Sequence, residues 1–224
     1  KSLGGKAAHQ KEWEKSVFKT YEKASLNKEW TSILYEECQI NNIEFLTSPY
    51  SLNLIDYVAP YLNAFKIGSG DINWHTSLKK AGEFGKPILI GTGASDLEEV
   101  KQAVKATKLD DKFICIMQCN TSYTLDDSNF DYANLNVIDT YKKVFPNSII
   151  GLSCHLKDHL SVLIAVSKGA RIIEKHFTDD NERIGPDHKF ALNPLEFKAM
   201  VNETRKLERL LGDGIKKKED NEAE

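Results

Sequence analysis

Apolar residues gather in this chain into short runs separated by longer stretches with helical spacing. Six runs are short enough for strands: "IEFLTSPY" (43–50), "NAFKIGSGD" (63–71), "PILIGTGAS" (87–95), "FICIMQCNTSY" (113–123), "SIIGLSCH" (148–155) and "RIIEKHF" (171–177). Each is close to continuous, the pattern of a strand buried on both faces. Between them, "DLEEVKQAVKAT", "YANLNVIDTYKKVF" and "DHLSVLIAVSKGA" repeat apolar residues at helical intervals. Strand then helix, six times over, predicts an α/β fold with a parallel sheet and right-handed crossovers. Six units do not close an eight-stranded barrel, so the sheet is either open or lacks two strands.

Punctuation residues agree with these boundaries. Ser95-Asp96-Leu97-Glu98 has capping-box spacing, and Asn193-Pro194-Leu195-Glu196 sets a cap, a first-turn proline and an acceptor in order. Gly85 and Gly169 stand where helices would end in a left-handed residue. Residues 1–42 read as a loop and helices, 43–212 as the barrel-type domain, and 213–224 as a charged tail too poor in apolar residues to order itself.

The chain's 224 residues suffice for one large domain. Lys and Arg total 30 against 33 Asp and Glu, a net charge of −3, which argues against nucleic acid or an anionic membrane surface as partner. No apolar run reaches membrane-spanning length. Of the four cysteines, Cys115 and Cys119 share a strand, about 13 Å apart at 3.3 Å per residue, too far for a disulfide. Reduced thiols and a cytoplasmic location follow.

In parallel α/β folds ligands meet the carboxyl ends of the strands. Here those ends carry Thr47 and Ser48, Lys66 and Ser69, Thr92, Thr121 and Tyr123, Ser153 and His155, and Glu174, Lys175 and His176. Lys66 interrupts an apolar run, so it must form an ion pair or meet an anion. Gly68-Ser69-Gly70 permits close backbone approach to a phosphate or carboxylate. His155 and His176 end consecutive strands; side-by-side imidazoles suit a divalent transition metal, and a hydrogen-bonded structural role is the alternative.

The stretches "TSPYSLNLIDYVAPYLNAFKIGSGDIN", "GKPILIGTGASDLEEV", "SIIGLSCH" and "GARIIEKHFTDDNERIGPDHKFALNP" resemble the sialic acid synthase family, the phosphoenolpyruvate-dependent N-acetylneuraminate synthases and their nonulosonate relatives. The resemblance runs from about Ile43 to Leu211. It implies a (β/α)8 TIM-barrel type fold, a homodimer, and condensation of phosphoenolpyruvate with N-acetylmannosamine or a related N-acetylated amino sugar, releasing phosphate. It also implies that His155 and His176 ligate manganese or magnesium. Lys66, Thr47, Ser69 and Ser153 would hold phosphoenolpyruvate, with Thr121 at a position often Asn or Ser. Tyr123 and Asp187 would contact the sugar. On that reading His176, Lys66 and Tyr123 are the catalytic residues. Cys154 stands where the family usually has Asp, an exchange expected to weaken metal binding. Family members begin with two further strands and commonly end in an antifreeze-like domain; residues 1–42 match neither strand, and no such domain follows Leu211.

Two other readings fit the residues. One is a metal-free aldolase with a Schiff base on Lys66; the other is a non-catalytic barrel that binds a sugar phosphate.

Overall fold

The computed structural model describes residues 16–222 apart from Thr124. Most of the expected N-terminal loop, residues 1–15, therefore lies outside the described residues. Helix α1 (Val17–Ala24) is capped by the Ser16 side chain, and α2 (Trp30–Ile40) follows, as the pattern of 1–42 predicts.

The run 43–50 is not a strand. It has no ladder partner among the described residues and leads into α3 (Leu52–Val58), whose cap is Ser51. Phe45 and Pro49 are buried, but Ile43, Leu46 and Tyr50 stay exposed. The segment thus lacks the two covered faces of an interior parallel strand.

Five strands remain where six were expected: β1 (Phe65–Ile67), β2 (Ile88–Gly91), β3 (Ile114–Cys119), β4 (Ile149–Cys154) and β5 (Ile172–Lys175). They form one parallel sheet in sequence order. The crossovers carry α4 (His75–Gly82), α5 (Leu97–Thr107), α6 (Val137–Val144) and α7 (Leu160–Ser167), and α8 (Pro194–Leu211) follows β5. The capping box of α5 sits one residue later than its spacing suggested: Asp96 and Glu99 exchange the two bonds, not Ser95 and Glu98. That of α8 joins Asn193 and Glu196 as expected, and Gly85 and Gly169 both have positive φ. Beyond Leu211 the one described element is a short 3-10 turn, Asp220–Glu222. No helix among the described residues is long and apolar enough to cross a membrane.

Side chains alternate between the sheet faces with period two. One set, including Phe65, Ile67, Ile88, Ile90, Ile114, Ile116, Ile150 and Leu152, packs beneath the helices as the main core. The other set faces a concave interior, where Leu89, Cys115 and Met117 make an apolar floor with Ala64 and Ile172. Both faces are covered, which is why the strands read as unbroken apolar runs.

One contact fixes the curvature. Lys66 on β1 lies 3.3 Å from Glu174 on β5, the two edges of the sheet. A flat five-stranded sheet would hold those strands about 19 Å apart, beyond what a lysine of about 6 Å and a glutamate of about 4 Å can bridge. The sheet is therefore curled into a half-barrel with its strand ends converging.

Helices α4 and α5 meet at Gly82, where an added Cβ would stand 1.9 Å from the Thr107 carbonyl oxygen. Gly82→Ala is expected to destabilise the protein by about 2–3 kcal/mol, because backbone cannot yield as a flexible side chain can. Thermal unfolding followed by circular dichroism should show a midpoint lower by roughly 5–10 °C; an unchanged midpoint would contradict this packing.

Candidate active site

The floor of the concave face is apolar and its upper rim is polar, because each strand changes composition as it ends. On β1, buried Lys66 donates to the Ile67 carbonyl at 3.1 Å and pairs with Glu174. Glu174 thus faces the interior and not a helix. Its buried Oε2 accepts no hydrogen bond among the described residues, so charge attraction alone holds the pair.

A 3-10 turn, Ser69–Asp71, follows β1. Gly93, with φ +50°, presses onto it from the end of β2: an added Cβ would lie 2.7 Å from the Ser69 carbonyl oxygen and 3.1 Å from Thr121 Cγ2. Only glycine takes this backbone conformation without strain at so close an approach. Thr92, one of the rim residues expected from sequence, is buried and donates to the Met117 carbonyl at 2.9 Å; it ties β2 to β3 and is not a ligand group.

Ser69 and Ser153 stand near the Cys119 thiol, and Ser69 near the Tyr123 phenol, close enough to favour the ionised forms; the thiol also lies 3.9 Å from His155 Nδ1. Burial outweighs these neighbours, raising the Cys119 pKa and pushing Tyr123 up to about 12, so Tyr123 remains a protonated donor. Its ring lies 4.2 Å from that of His155, 5.9 Å from His176 and 5.8 Å from Phe190.

The two imidazoles are 5.1 Å apart between ring centroids. His155 Nδ1 lies 2.6 Å from the Asn120 carbonyl oxygen. That contact makes Nδ1 the donor and leaves Nε2 with its lone pair, the arrangement of a metal-ligating histidine. Burial holds His155 neutral, its pKa pushed down to about 4, and lowers that of His176 also. Asp187 Oδ2 stands 3.7 Å from His176 Nδ1. Among the described residues no group of three or more His, Cys, Asp or Glu is placed to hold a metal. Two neutral imidazoles do fit as a partial donor set whose other positions fall to substrate or water oxygens.

Asp187 owes its place to the segment after β5. Thr178 Oγ1 donates to the Asp180 carbonyl at 2.9 Å and lies 2.7 Å from His188 Nδ1. Asn181 donates to the carbonyls of His188 and Ala191, each at 2.8 Å, closing the loop. His188, unremarked in the sequence, is therefore a stitch in this loop. Asp179 instead points away to Arg183.

The structure brings Lys66, Ser69, Tyr123, Ser153, His155, His176 and Asp187 to one rim, with Thr121 half-buried beside Gly93. Thr47 is half-buried in the extended segment before α3, and no described hydrogen bond joins it to the cluster. Sequence reasoning missed Asp71, whose carboxyl is half-buried after Ser69 with its pKa raised by burial. An acidic residue next to the glycine-rich turn was the available signal. It also missed Cys119, which resembles any core cysteine until its hydroxyl neighbours are known.

Cys154 does not share the face of the two imidazoles. It faces the helices, in the main core, with Sγ 3.1 Å from Ser161 Oγ. The position thus bears on Lys175, which lies 3.5 Å from that sulfur and donates to the carbonyls of Leu156 and Asp158. Lys175 clamps the loop after His155.

Neutral buried histidines make stability pH-dependent. Between about pH 6.5, the ordinary value, and about 4 the unfolded chain binds protons that folded His155 refuses, so stability rises with pH and is lost on acidification. For metal-free protein the loss across that window is on the order of 3 kcal/mol from His155. Urea midpoints at pH 7 and 4.5 in chelator should show it, with a smaller change in His155→Gln; equal changes would contradict the assignment.

A family model described as the NeuB family matches residues 4–216. The match begins well before Ile43, so the segment bearing α1 and α2 shares the likeness that the motifs alone placed after it. An uncharacterised protein of Methanocaldococcus jannaschii is 36% identical over 201 residues, covering 89% of this chain and 58% of that protein. The N,N'-diacetyllegionaminic acid synthase of Campylobacter jejuni is 36% identical over 181 residues, 79% of this chain and 53% of the enzyme. The crystal structure of the N-acetylneuraminic acid synthetase of Leptospira borgpetersenii superposes with a TM-score of 0.82 at 29% identity, over 91% of this chain and 70% of that one. The chain spans about half the length of the curated relatives it matches. With the family match running through all five strands, the chain belongs to the NeuB family.

Proposed function

We propose that this protein acts as a carbon–carbon bond-forming transferase that joins phosphoenolpyruvate to an open-chain N-acetylated amino sugar and releases phosphate. The observation that carries this reading is the rim itself, with paired neutral imidazoles facing an interior ammonium across a cluster of hydroxyls. In such a reaction the methylene carbon attacks the aldehyde carbon, water adds to the cationic carbon left behind, and phosphate departs as its carbon–oxygen bond breaks.

Lys66 offsets the charge of the phosphate, and Ser69 and Ser153 donate hydrogen bonds to phosphate or carboxylate oxygens. Tyr123, held protonated by burial, donates to a sugar oxygen. Asp187 accepts from a sugar hydroxyl and orients His176. His155 and His176 would hold a manganese or magnesium ion, which when bound supplies Lewis acidity toward the aldehyde oxygen.

The Schiff-base alternative is less well supported, because Lys66 neighbours a carboxylate rather than the apolar or cationic surroundings that activate an amine. The test is phosphate release from phosphoenolpyruvate in the presence of manganese and N-acetylmannosamine, with each omitted in turn. Release that needs both supports the proposal. Binding of the ligands without any release would favour the non-catalytic barrel.

A further inference from the structure

One cluster of reactive side chains takes no part in the proposed reaction. It lies where the ends of β4 and β5 meet the start of α7. Cys154 closes β4 with its thiol turned to the helices and 5% exposed. Ser161 Oγ, in the first turn of α7, is 3.1 Å from that sulfur, and Lys175 Nζ, on the last residue of β5, is 3.5 Å from it. The other two bonds of the Lys175 ammonium go to the carbonyls of Leu156 and, at 3.0 Å, Asp158. Among the described residues no carboxylate pairs with it, so its third partner is a thiol where an oxygen would bond a cation more strongly.

Space for an added oxygen lies beside the sulfur. A cavity of about 20 Å³ is lined by Cys154 and Ser161, with Asn120, Ser122 and Leu156 among its other walls. About 10–15 Å³ already admits a water molecule, so the cavity takes one very small polar molecule and nothing of metabolite size. Asn120, Ser122 and Leu156 are partly exposed, which marks the side that faces solvent. Hydrogen peroxide is small enough for this space, and the amide of Asn120 and the hydroxyls of Ser122 and Ser161 can bond its O–H groups.

We infer that Cys154 is a reversible oxidation site for hydrogen peroxide, with Lys175 and Ser161 holding the sulfenic acid that forms. A sulfur lone pair attacks one peroxide oxygen and the O–O bond breaks. The sulfur loses two electrons and keeps that oxygen as S–OH, while the other oxygen is reduced and leaves as water with the thiol proton. Lys175 donates to the departing oxygen and then to the sulfenic oxygen, which replaces the sulfur as its third acceptor. Its bonds to Leu156 and Asp158 persist, so the folded chain accommodates the product. Two equivalents of a thiol reductant return the cysteine, with release of water and a disulfide of the reductant. Cys115 supplies an internal contrast: it is 3% exposed in the apolar floor, and burial pushes its thiol pKa up to about 12.

The experiment treats the chain with hydrogen peroxide and dimedone, which traps sulfenic acids, and follows each cysteine peptide by mass spectrometry. Cys154 should be labelled faster than Cys115, and dithiothreitol added before dimedone should abolish the label. Lys175→Met should slow labelling of Cys154 about tenfold and Ser161→Ala about threefold, the losses of a charge-assisted and a neutral hydrogen bond. Should Lys175→Met not fold, Ser161→Ala and the comparison within the wild type carry the test. Labelling of Cys154 no faster than that of Cys115, or wild-type rates in the variants, overturns the inference. A preference for Cys154 that survives in urea overturns it too, since it would then belong to the local sequence and not to the folded cluster.

Discussion

Lys66→Met should lower phosphate release from phosphoenolpyruvate by about 10³-fold, because the interior cation that offsets phosphate charge is removed while the aliphatic volume remains. The same change leaves Glu174 without its partner 3.3 Å away, so lost stability must be separated from lost chemistry. The double variant Lys66→Met/Glu174→Gln does this. It removes both charges, should recover most of any stability lost in the single variant, and should stay inactive. Recovery of turnover in the double variant would show that Lys66 serves only to balance Glu174. Borohydride treatment with a carbonyl substrate adds an independent reading, since a trapped adduct on Lys66 would replace the present mechanism with the Schiff-base one.

His155→Ala should lower manganese affinity by at least about 100-fold, a loss at the upper end of what even outer-shell changes produce and a minimum for a direct ligand. Electron paramagnetic resonance of free manganese during titration measures it without any need for turnover. Asn120 then distinguishes ligation from packing. Its carbonyl holds His155 Nδ1 at 2.6 Å, and a structural histidine would be served by that bond alone. A His155→Gln variant keeps a polar side chain of similar reach, so manganese affinity equal to the wild type in that variant would reject the ligand role.

Much of the fold was legible because covered parallel strands leave continuous apolar runs, and five of the six runs are strands. The run 43–50 failed since hydrophobicity alone does not say whether both faces find cover: Phe45 does, while Ile43 and Leu46 do not. The rim was legible in outline because residues that end neighbouring parallel strands must be neighbours in space, which brought His155 and His176 together. The finer assignments depended on facing, which flips with each residue along a strand. Cys154 and His155 are adjacent in sequence yet lie on opposite faces, so a change at one is not a change beside the other.

The Lys66 and Glu174 pair also sets a threshold for what the concave face will accept. An anion arriving at Lys66 meets an ammonium already matched by a carboxylate from the opposite edge of the sheet. A monoanion offers little that Glu174 does not, whereas a phosphate dianion brings more charge and more acceptor oxygens. The internal carboxylate thus works as a reference competitor, ranking incoming anions by how far they exceed it, so that discrimination against simple carboxylic acids comes from the fold's own charge pair.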